Sequence, residues 1–520
     1  MKAVFSRFFP PAALSIPAVV SGVLVTLSFP TVQLGWLAFV ALTPVLSAFA
    51  RVKPTGREAF RTGFLFGGTC YLTMLWWIVK LIPTADVTIP WLMTPALVIL
   101  VLYLAVYPAF FFLILSSVTR YRRVALLLMA PALWVLLEGV RARSELGFPW
   151  GSMGYALSYT PPLIQGAAFG GLPFLSFLVV AVNALFAVLF DGGRVRVRAI
   201  AGFAGVAIIA ATWGFGQYAM STANTGATRP VRVSVVQPNV DLALKWKPEF
   251  RDSTLRLIQR LTHEAAASGA ELIIFPETSA PVYIDGNRVD SRTYRDTLSS
   301  LARTTGVPLF IGFLDYRRVG TQGDVNIYNS SGVFRPDGTY EKYAKMHLLP
   351  FGEALPGSQR FRWLRKINFG QANFEPGEAH APIRTGPLAI TPLICFESVF
   401  PDLCERGVRG GTELLVNITN DGWFADTPGP YQHAQMSVLR AVEFRRWLVR
   451  SANTGVSMVV SPTGEVKQSL PLFEEGILTA NVGALSGQTF YALHGDRTVL
   501  FACLVLGAVA ALVGRRPRAT

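Results

Sequence analysis

Three stretches in the second half of this 520-residue chain end a short apolar run on a side chain that could do chemistry. Ile273-Ile274-Phe275-Pro276-Glu277 ends in a carboxylate. Lys345-Met346-His347-Leu348-Leu349-Pro350-Phe351-Gly352-Glu353 sets a lysine and a glutamate on either side of a Pro and Gly loop. Leu393-Ile394-Cys395-Phe396-Glu397 places a cysteine after a strand-like run and before another carboxylate. These are the parts of nucleophilic catalysis by a thiol, which has a pKa of about 8.5, attacks as the thiolate and needs a base or a positive neighbour. Each residue taken alone has a plainer reading. Glu277 suits a helix cap or a surface acid, Lys345 a solvated position after a hairpin, and Cys395 a small buried hydrophobe. His347 suits an acid/base role or a hydrogen-bonded structural one, and nothing near it has triad or metal-ligand spacing.

Residues so far apart meet only if their segments end strands of one domain, which is where α/β proteins build sites. From Arg229 onward the sequence has that texture. Val231 to Val236, Leu272 to Phe275, Pro308 to Phe313, Leu388 to Ile394 and Leu414 to Ile418 predict strands. Residues 249–269, 292–304 and 429–450 repeat apolar side chains at three and four and predict helices. Pro336-Asp337-Gly338 and Pro462-Thr463-Gly464 each mark a hairpin turn. The pattern is an α/β domain whose sheet mixes crossovers with hairpins. Proline and glycine also cluster at Pro350 to Gly357 and Pro428 to Pro430, which marks those loops as candidate lids.

The first half is built differently. The chain is 51% hydrophobic and 15% charged with a mean hydropathy of +0.40, against about 25% charged residues in a soluble domain, which argues for a membrane protein. Residues 12–30, 33–50, 62–79, 91–117, 124–140, 162–190, 197–216 and 497–514 are apolar enough to predict eight spans, the fifth with Glu138 near its end. Lys2 and Arg7 before the first run also fit a signal peptide, but no small-residue cleavage site leads into a polar mature sequence. The formal charge of +15 is not a nucleic-acid signature, because the long polar stretch 218–495 is nearly neutral, with 28 basic and 26 acidic residues. The excess sits in short loops. With the amino terminus inside, fifteen basic residues fall on the inner side (Lys2, Arg7, Arg51, Lys53, Arg57, Arg61, Arg120, Arg122, Arg123, Arg194, Arg196, Arg198, Arg515, Arg516 and Arg518). Only Lys80, Arg141, Arg143 and Arg497 face out. That threading puts both termini in the cytoplasm and residues 218–495 outside it. Trp76 and Trp77 suit an interfacial belt or core packing. Cys70, Cys395, Cys404 and Cys503 are too few and too scattered for a disulfide framework or a zinc site.

Taken together and in order, FPE, KxHLxPFGE and CFE resemble the nitrilase superfamily, whose Glu, Lys and Cys come from three such strand ends. The resemblance implies an αββα sandwich, with Glu277 as general base, Lys345 as cationic stabiliser and Cys395 as nucleophile. A nitrilase-like domain with seven spans before it and one after, the run NITNDGW from Asn417 to Trp423, and Asn453-Thr454-Gly455 together resemble the apolipoprotein N-acyltransferase family over essentially the whole chain. That likeness implies a membrane domain over 1–217, an extracytoplasmic catalytic domain over 218–495, and a last helix with a basic cytoplasmic tail over 496–520. It implies transfer of an acyl chain from a membrane phospholipid, through a cysteine thioester, to the α-amino group of the diacylglyceryl-modified cysteine of an apolipoprotein. It also implies the bacterial inner membrane with the catalytic domain on the periplasmic side, and no cofactor or metal. Trp246, Glu353 and Glu397 match further site residues of the family; Phe396 stands where some relatives have Tyr. Glu353 fits a site acid or a brace for the Lys345 loop equally well, and Trp246 fits a substrate contact or simple packing. Lys345 with the backbone N–H of Phe396 forms the expected oxyanion hole. The loop Gly147-Phe148-Pro149-Trp150-Gly151 resembles a family element and also reads as an interfacial turn.

Two other readings use the same residues. A membrane-tethered amidase shares the first chemical step with an acyltransferase, though a small soluble amide does not require eight spans. A transporter or receptor carrying a degenerate catalytic domain would need a polar path through the bundle, yet the apolar runs hold few ionisable groups apart from Glu138.

Overall fold

The computed structural model describes residues 9–30, 32–81, 93–119, 123–223, 230–319, 324–367, 372–378 and 381–515. Of the basic residues assigned to the inner side, Lys2, Arg7, Arg120, Arg122, Arg516 and Arg518 lie outside these. The chain divides into two compact units, one of apolar helices and one of mixed α/β structure.

The helical unit contains α1 (Ala12–Leu27), α2 (Thr43–Val52), α3 (Gly56–Leu75), α4 (Met93–Thr119), α5 (Arg123–Arg141), α6 (Ala167–Leu189) and α7 (Val195–Thr222). Each expected span coincides with helix, but among the described residues seven helical stretches, not eight, are long and apolar enough to cross a membrane. The short one is α1. Its 16 residues rise roughly 24 Å at 1.5 Å each, less than the ~30 Å of a bilayer core. Helix α3 starts where Thr55 and Glu58 form a reciprocal cap, with Thr55 N–H donating to Glu58 Oε2 at 2.9 Å. Trp77 is buried against Trp150 while Trp76 is exposed, so one of the pair packs and the other faces outward. Glu138 is buried. Its Oε1 accepts from Trp134 Nε1 at 2.7 Å and from the Met153 N–H at 2.9 Å. Arg141, one turn on, bonds Tyr71 and, at 2.8 Å, Ser152 Oγ. These contacts staple the loop after α5 back onto the helix.

In the α/β unit the alternation of strand side chains dictates the layers. Strand β1 (Pro230–Gln237) sends Val231, Val233 and Val235 into one core and Val236 into another; β2 (Leu272–Ile274) does the same with Leu272 and Ile274 against Ile273. After β3 (Ala280–Tyr283) come β4 (Leu309–Val319), β5 (Asp324–Phe334) and β6 (Tyr340–Ala344). The first sheet runs β13 (Gly476–Gly483), β1, β2, β4, β5, β6, with β3 beside β4. Helices α8 (Arg251–Ala267) and α9 (Val289–Thr305) cover its outer face with Leu255, Ile258, Leu261, Leu298 and Leu301. The second sheet runs β12-β11-β10-β9-β8-β7, built from β7 (Ile383–Arg384), β8 (Ala389–Ile394), β9 (Leu414–Thr419), β10 (Trp447–Ala452), β11 (Ser457–Val460) and β12 (Val466–Leu470); β13 (Gly476–Gly483) returns to β1. Ile390, Ile394, Leu414, Val416 and Val449 pack on the inner face of the first sheet, and α10 (Pro401–Arg409) and α11 (Pro428–Phe444) lie against the second. The result is the expected αββα sandwich. The last helix, α12 (Arg497–Arg515), belongs to the helical unit, where Cys503 packs with Ala132 and Val135 of α5.

Two expectations need correction. The helix expected over 429–450 ends at Phe444, because Arg445 turns left-handed at φ 49°, and Trp447–Ala452 is a fully buried strand between β9 and β11. Pro428 to Pro430 is the first turn of α11, capped by Thr427, and not a loop. Both hairpins form at their expected turns.

Phe310 is fully buried between the two sheets. Phe310→Ala is expected to destabilise the α/β unit by about 3–5 kcal/mol, read as a lowered thermal midpoint of the purified protein; an unchanged midpoint contradicts this packing.

Candidate active site

Glu277, Lys345 and Cys395 each stand just past a strand: after β2, β6 and β8. Backbone geometry explains why the chain can present them there. Cys395 adopts φ 52° and opens a short 3-10 turn to Val399, a left-handed conformation that costs a non-glycine residue of order 1–3 kcal/mol and persists only where its surroundings enforce it. Next to Glu277, Thr278 is also left-handed at φ 48°. Gly312 of β4 lets this bend lie close, since a Cβ there would stand 2.7 Å from Glu277 Cα and 2.5 Å from Thr278 N.

The side chains converge through charge and hydrogen bonding. Lys345 is buried, and its Nζ lies 2.7 Å from Glu353 Oε2. Glu353 Oε2 also accepts the Leu349 N–H at 2.8 Å, closing the Pro350 loop on itself. Asn329, in β5, donates Nδ2 to Glu277 Oε1 at 2.7 Å and to Glu353 Oε1 at 2.9 Å. Burial works against the Lys345 ammonium, but Glu353, Cys395 and Glu277 outweigh it and hold its pKa well above the ordinary lysine value. Burial raises the Glu277 pKa, Lys345 pulls it down, and the charge of Glu353 adds to the rise. A carboxyl displaced upward is suited to accept and return a proton. Cys395 keeps some accessible surface, but burial, then the negative charge of Glu277, pushes its thiol up to about 12 against the pull of Lys345. That shift favours the protonated thiol at neutral pH.

Glu397 is fully buried and joins the two halves of the site. One oxygen accepts from Tyr343 Oη at 2.8 Å, the Met346 N–H at 2.6 Å and the His347 N–H at 3.1 Å; the other accepts the Ile394 N–H at 2.7 Å. It thus ties the turn that carries Cys395 to the loop that follows Lys345. Burial raises its pKa, opposed by these donors and by Lys345. His347 instead pairs with Asp402 at 3.0 Å and rests on Phe400. Phe396 is buried edge-on to Phe400. Trp246 is 39% exposed at the end of a one-turn helix, Leu242–Lys245, capped by Asp241. Cys404 is fully buried in α10 and its thiol is raised by burial, which leaves it no role as a nucleophile.

Sequence reasoning missed Asn329 and Lys245. Lys245 is buried, donates Nζ to the Glu277 carbonyl at 3.1 Å, and is lowered by burial to about 7 against the pull of Glu277. Its only sequence signal was its place beside Trp246. Asn329 sits in an ordinary hairpin strand and had none. Among the described residues no group of three or more His, Cys, Asp or Glu is arranged to hold a metal ion.

The sandwich with these strand ends is a nitrilase-type domain, and residues 232–489 match the carbon-nitrogen hydrolase family. A crystal structure of an amidase from a Nesterenkonia species is similar to 54% of this chain and 98% of its own, at 21% identity and a TM-score of 0.38. Residues 21–185 match the N-terminal domain of apolipoprotein N-acyltransferase. The proteins of that name from Geobacter metallireducens and Chlorobaculum tepidum are 36% and 31% identical to this chain. The matches span 96% and 95% of this chain and 95% of each relative. The chain belongs to the apolipoprotein N-acyltransferase family, and it is a bacterial membrane protein.

The charges around the thiol give a signed expectation. Glu277→Gln removes the negative charge that opposes the thiolate, so the pH profile of Cys395 alkylation by iodoacetamide moves to lower pH; Lys345→Met moves it higher. Peptide mass spectrometry across pH reads both, and a shift of either in the opposite sense contradicts the electrostatics described.

Proposed function

We propose that this protein transfers a fatty acyl chain from a membrane phospholipid to the α-amino group of the diacylglyceryl-modified N-terminal cysteine of an apolipoprotein. Cys395 attacks the ester carbonyl while Glu277 takes the thiol proton. The oxyanion that forms is met by the Lys345 ammonium and the Phe396 N–H, and one such preorganised donor is worth roughly 3–4 kcal/mol. As the intermediate collapses, Glu277 returns the proton to the leaving alkoxide, and lysophospholipid departs from a Cys395 thioester. The acceptor amine then attacks the thioester carbonyl and passes a proton through Glu277 to the departing sulfur, which leaves an amide and restores the thiol. Glu353 holds Lys345 charged through both halves, Glu397 keeps the loop and the elbow in register, and Trp246 offers an exposed ring to the lipid substrates.

The observation that carries this reading is that Glu353 meets both the buried Lys345 and Asn329, and Asn329 meets Glu277, so that the strand-end residues form one buried polar cluster, in a chain whose other unit is made of apolar helices. Both substrates reside in the membrane, and the thioester has to be kept from water until the amine arrives. The excess of basic residues in the loops assigned to the inner side supports cytoplasmic termini and a catalytic unit on the periplasmic face.

With labelled phospholipid and a diacylglyceryl lipopeptide, Cys395→Ala is expected to lose all transfer and Cys404→Ala to keep it. Lys345→Met should fold and lose about 100-fold or more in rate. Equal loss in both cysteine variants means that the nucleophile is misassigned, and full activity in Lys345→Met overturns the role of the lysine.

A further inference from the structure

The left-handed turn at Cys395 needs something to enforce it, and the structure holds it by the carbonyl. Three side chains converge on the Cys395 oxygen: Ser398 Oγ at 3.1 Å, His433 Nε2 at 3.2 Å and Asn417 Nδ2 at 3.4 Å. Asn417 Nδ2 also donates to the Leu393 carbonyl at 2.9 Å, so it grips the strand on both sides of Ile394. His433 comes from α11 and Asn417 from β9, and both are buried.

Behind these donors stands a second buried layer. His433 Nδ1 lies 2.9 Å from Asp421 Oδ1 and 3.0 Å from Arg450 Nη2. Arg450, fully buried in β10, also bonds Asn417 Oδ1 and, at 2.6 Å, Asp421 Oδ2. Thr419 Oγ1 donates to Asp421 Oδ1 at 2.9 Å. Gly455 makes room, since a Cβ there would stand 2.7 Å from Asp421 Oδ2. One arginine thus orients the amide of Asn417 and the imidazole of His433 together.

The ring's hydrogen follows from its neighbours. Burial and then the charge of Arg450 lower the imidazole pKa against the pull of Asp421. A neutral ring with its hydrogen on Nε2 donates it to Cys395 and accepts from Arg450 at Nδ1, where its lone pair also faces Asp421 Oδ1 at 2.9 Å. An imidazolium paired with Asp421 does so too. The remaining tautomer, with hydrogen on Nδ1 alone, would set two lone pairs against each other at the 3.2 Å contact with the Cys395 oxygen.

We propose that His433 is a positioning residue for the nucleophile: its Nε2–H, together with Asn417 and Ser398, locks the Cys395 carbonyl, and the Asp421–Arg450 pair fixes the ring that does so. The peptide between Cys395 and Phe396 is planar and trans, so a carbonyl held on one side directs the Phe396 N–H to the other. The lock therefore sets both the bearing of the sulfur and the plane of the amide assigned to the oxyanion. The inference rests on Cys395 as the nucleophile.

The test is single-turnover acylation of the full-length protein in detergent by labelled phospholipid, with His433→Leu, His433→Gln and Ser398→Ala beside the wild type. Glutamine keeps an N–H donor near the position of Nε2. The lock predicts that His433→Leu acylates about 30-fold more slowly or worse with its KM for phospholipid within about 3-fold of wild type, and that His433→Gln recovers most of the loss. Ser398→Ala, which removes one donor of three, should slow acylation about 3- to 10-fold at unchanged KM. Wild-type rates in a folded His433→Leu, or a Gln variant as slow as the Leu variant, overturn the proposal. Should His433→Leu not fold, Ser398→Ala decides: slowed acylation at unchanged KM supports the lock, and a wild-type rate overturns it. Absence of acylation on Cys395 in the wild type would be a failure of the proposed function instead.

Discussion

The ammonium of Lys345 is the charge on which this site depends. Burial disfavours every ionised group near it, and the carboxyl groups of Glu277, Glu353 and Glu397 and the Cys395 thiol all stand within reach of its charge. Two unit charges 4 Å apart interact by about 4 kcal/mol at the effective dielectric near a protein surface, and burial strengthens that coupling. A lysine held 2.7 Å from Glu353 and within the field of both Glu277 and Cys395 is suited to stabilise negative charge on either sulfur or oxygen. Losing one partner of a buried pair is costly, because the other charge is left uncompensated. The same balance of burial and charge favours a thiol over a thiolate at Cys395.

Around that charge the fold acts as a frame of strand ends. Glu277, Lys345 and Cys395 come from β2, β6 and β8, in two sheets joined by one valine-, isoleucine- and leucine-rich core. Glu397 and Asn329 bridge between these ends by hydrogen bonds. Rigid sheets with short strained turns at their ends place reacting groups more precisely than loops can, because the strain at Cys395 is held by surroundings that have no freedom to relax.

Much of this was legible in the sequence. Period-two alternation located the strand around Val231, short apolar runs located those around Leu272 and Leu414, proline and glycine turns located both hairpins, and the strand ends carried the reactive types. The extent of α11 was misread because Trp447 to Ala452 is buried on both faces, and its two polar residues, Arg450 and Ser451, are adjacent, so the run shows no period of two to separate strand from helix. The short reach of α1 was hidden because composition records apolarity and not where Ser28 leaves the helix. Asn329, His433 and Arg450 left no local signal, since each finds its partners 12 to 52 residues away; such polar contacts become visible only when the sheets are folded together.

The account stands on Cys395 carrying the acyl chain. Purified protein given phospholipid without an acceptor, then digested and analysed by mass spectrometry, tests this most directly. One fatty acyl adduct is expected on the peptide containing Cys395, and it disappears when a diacylglyceryl lipopeptide is added. An adduct on another residue, or an adduct on Cys395 that the lipopeptide leaves in place, would contradict it.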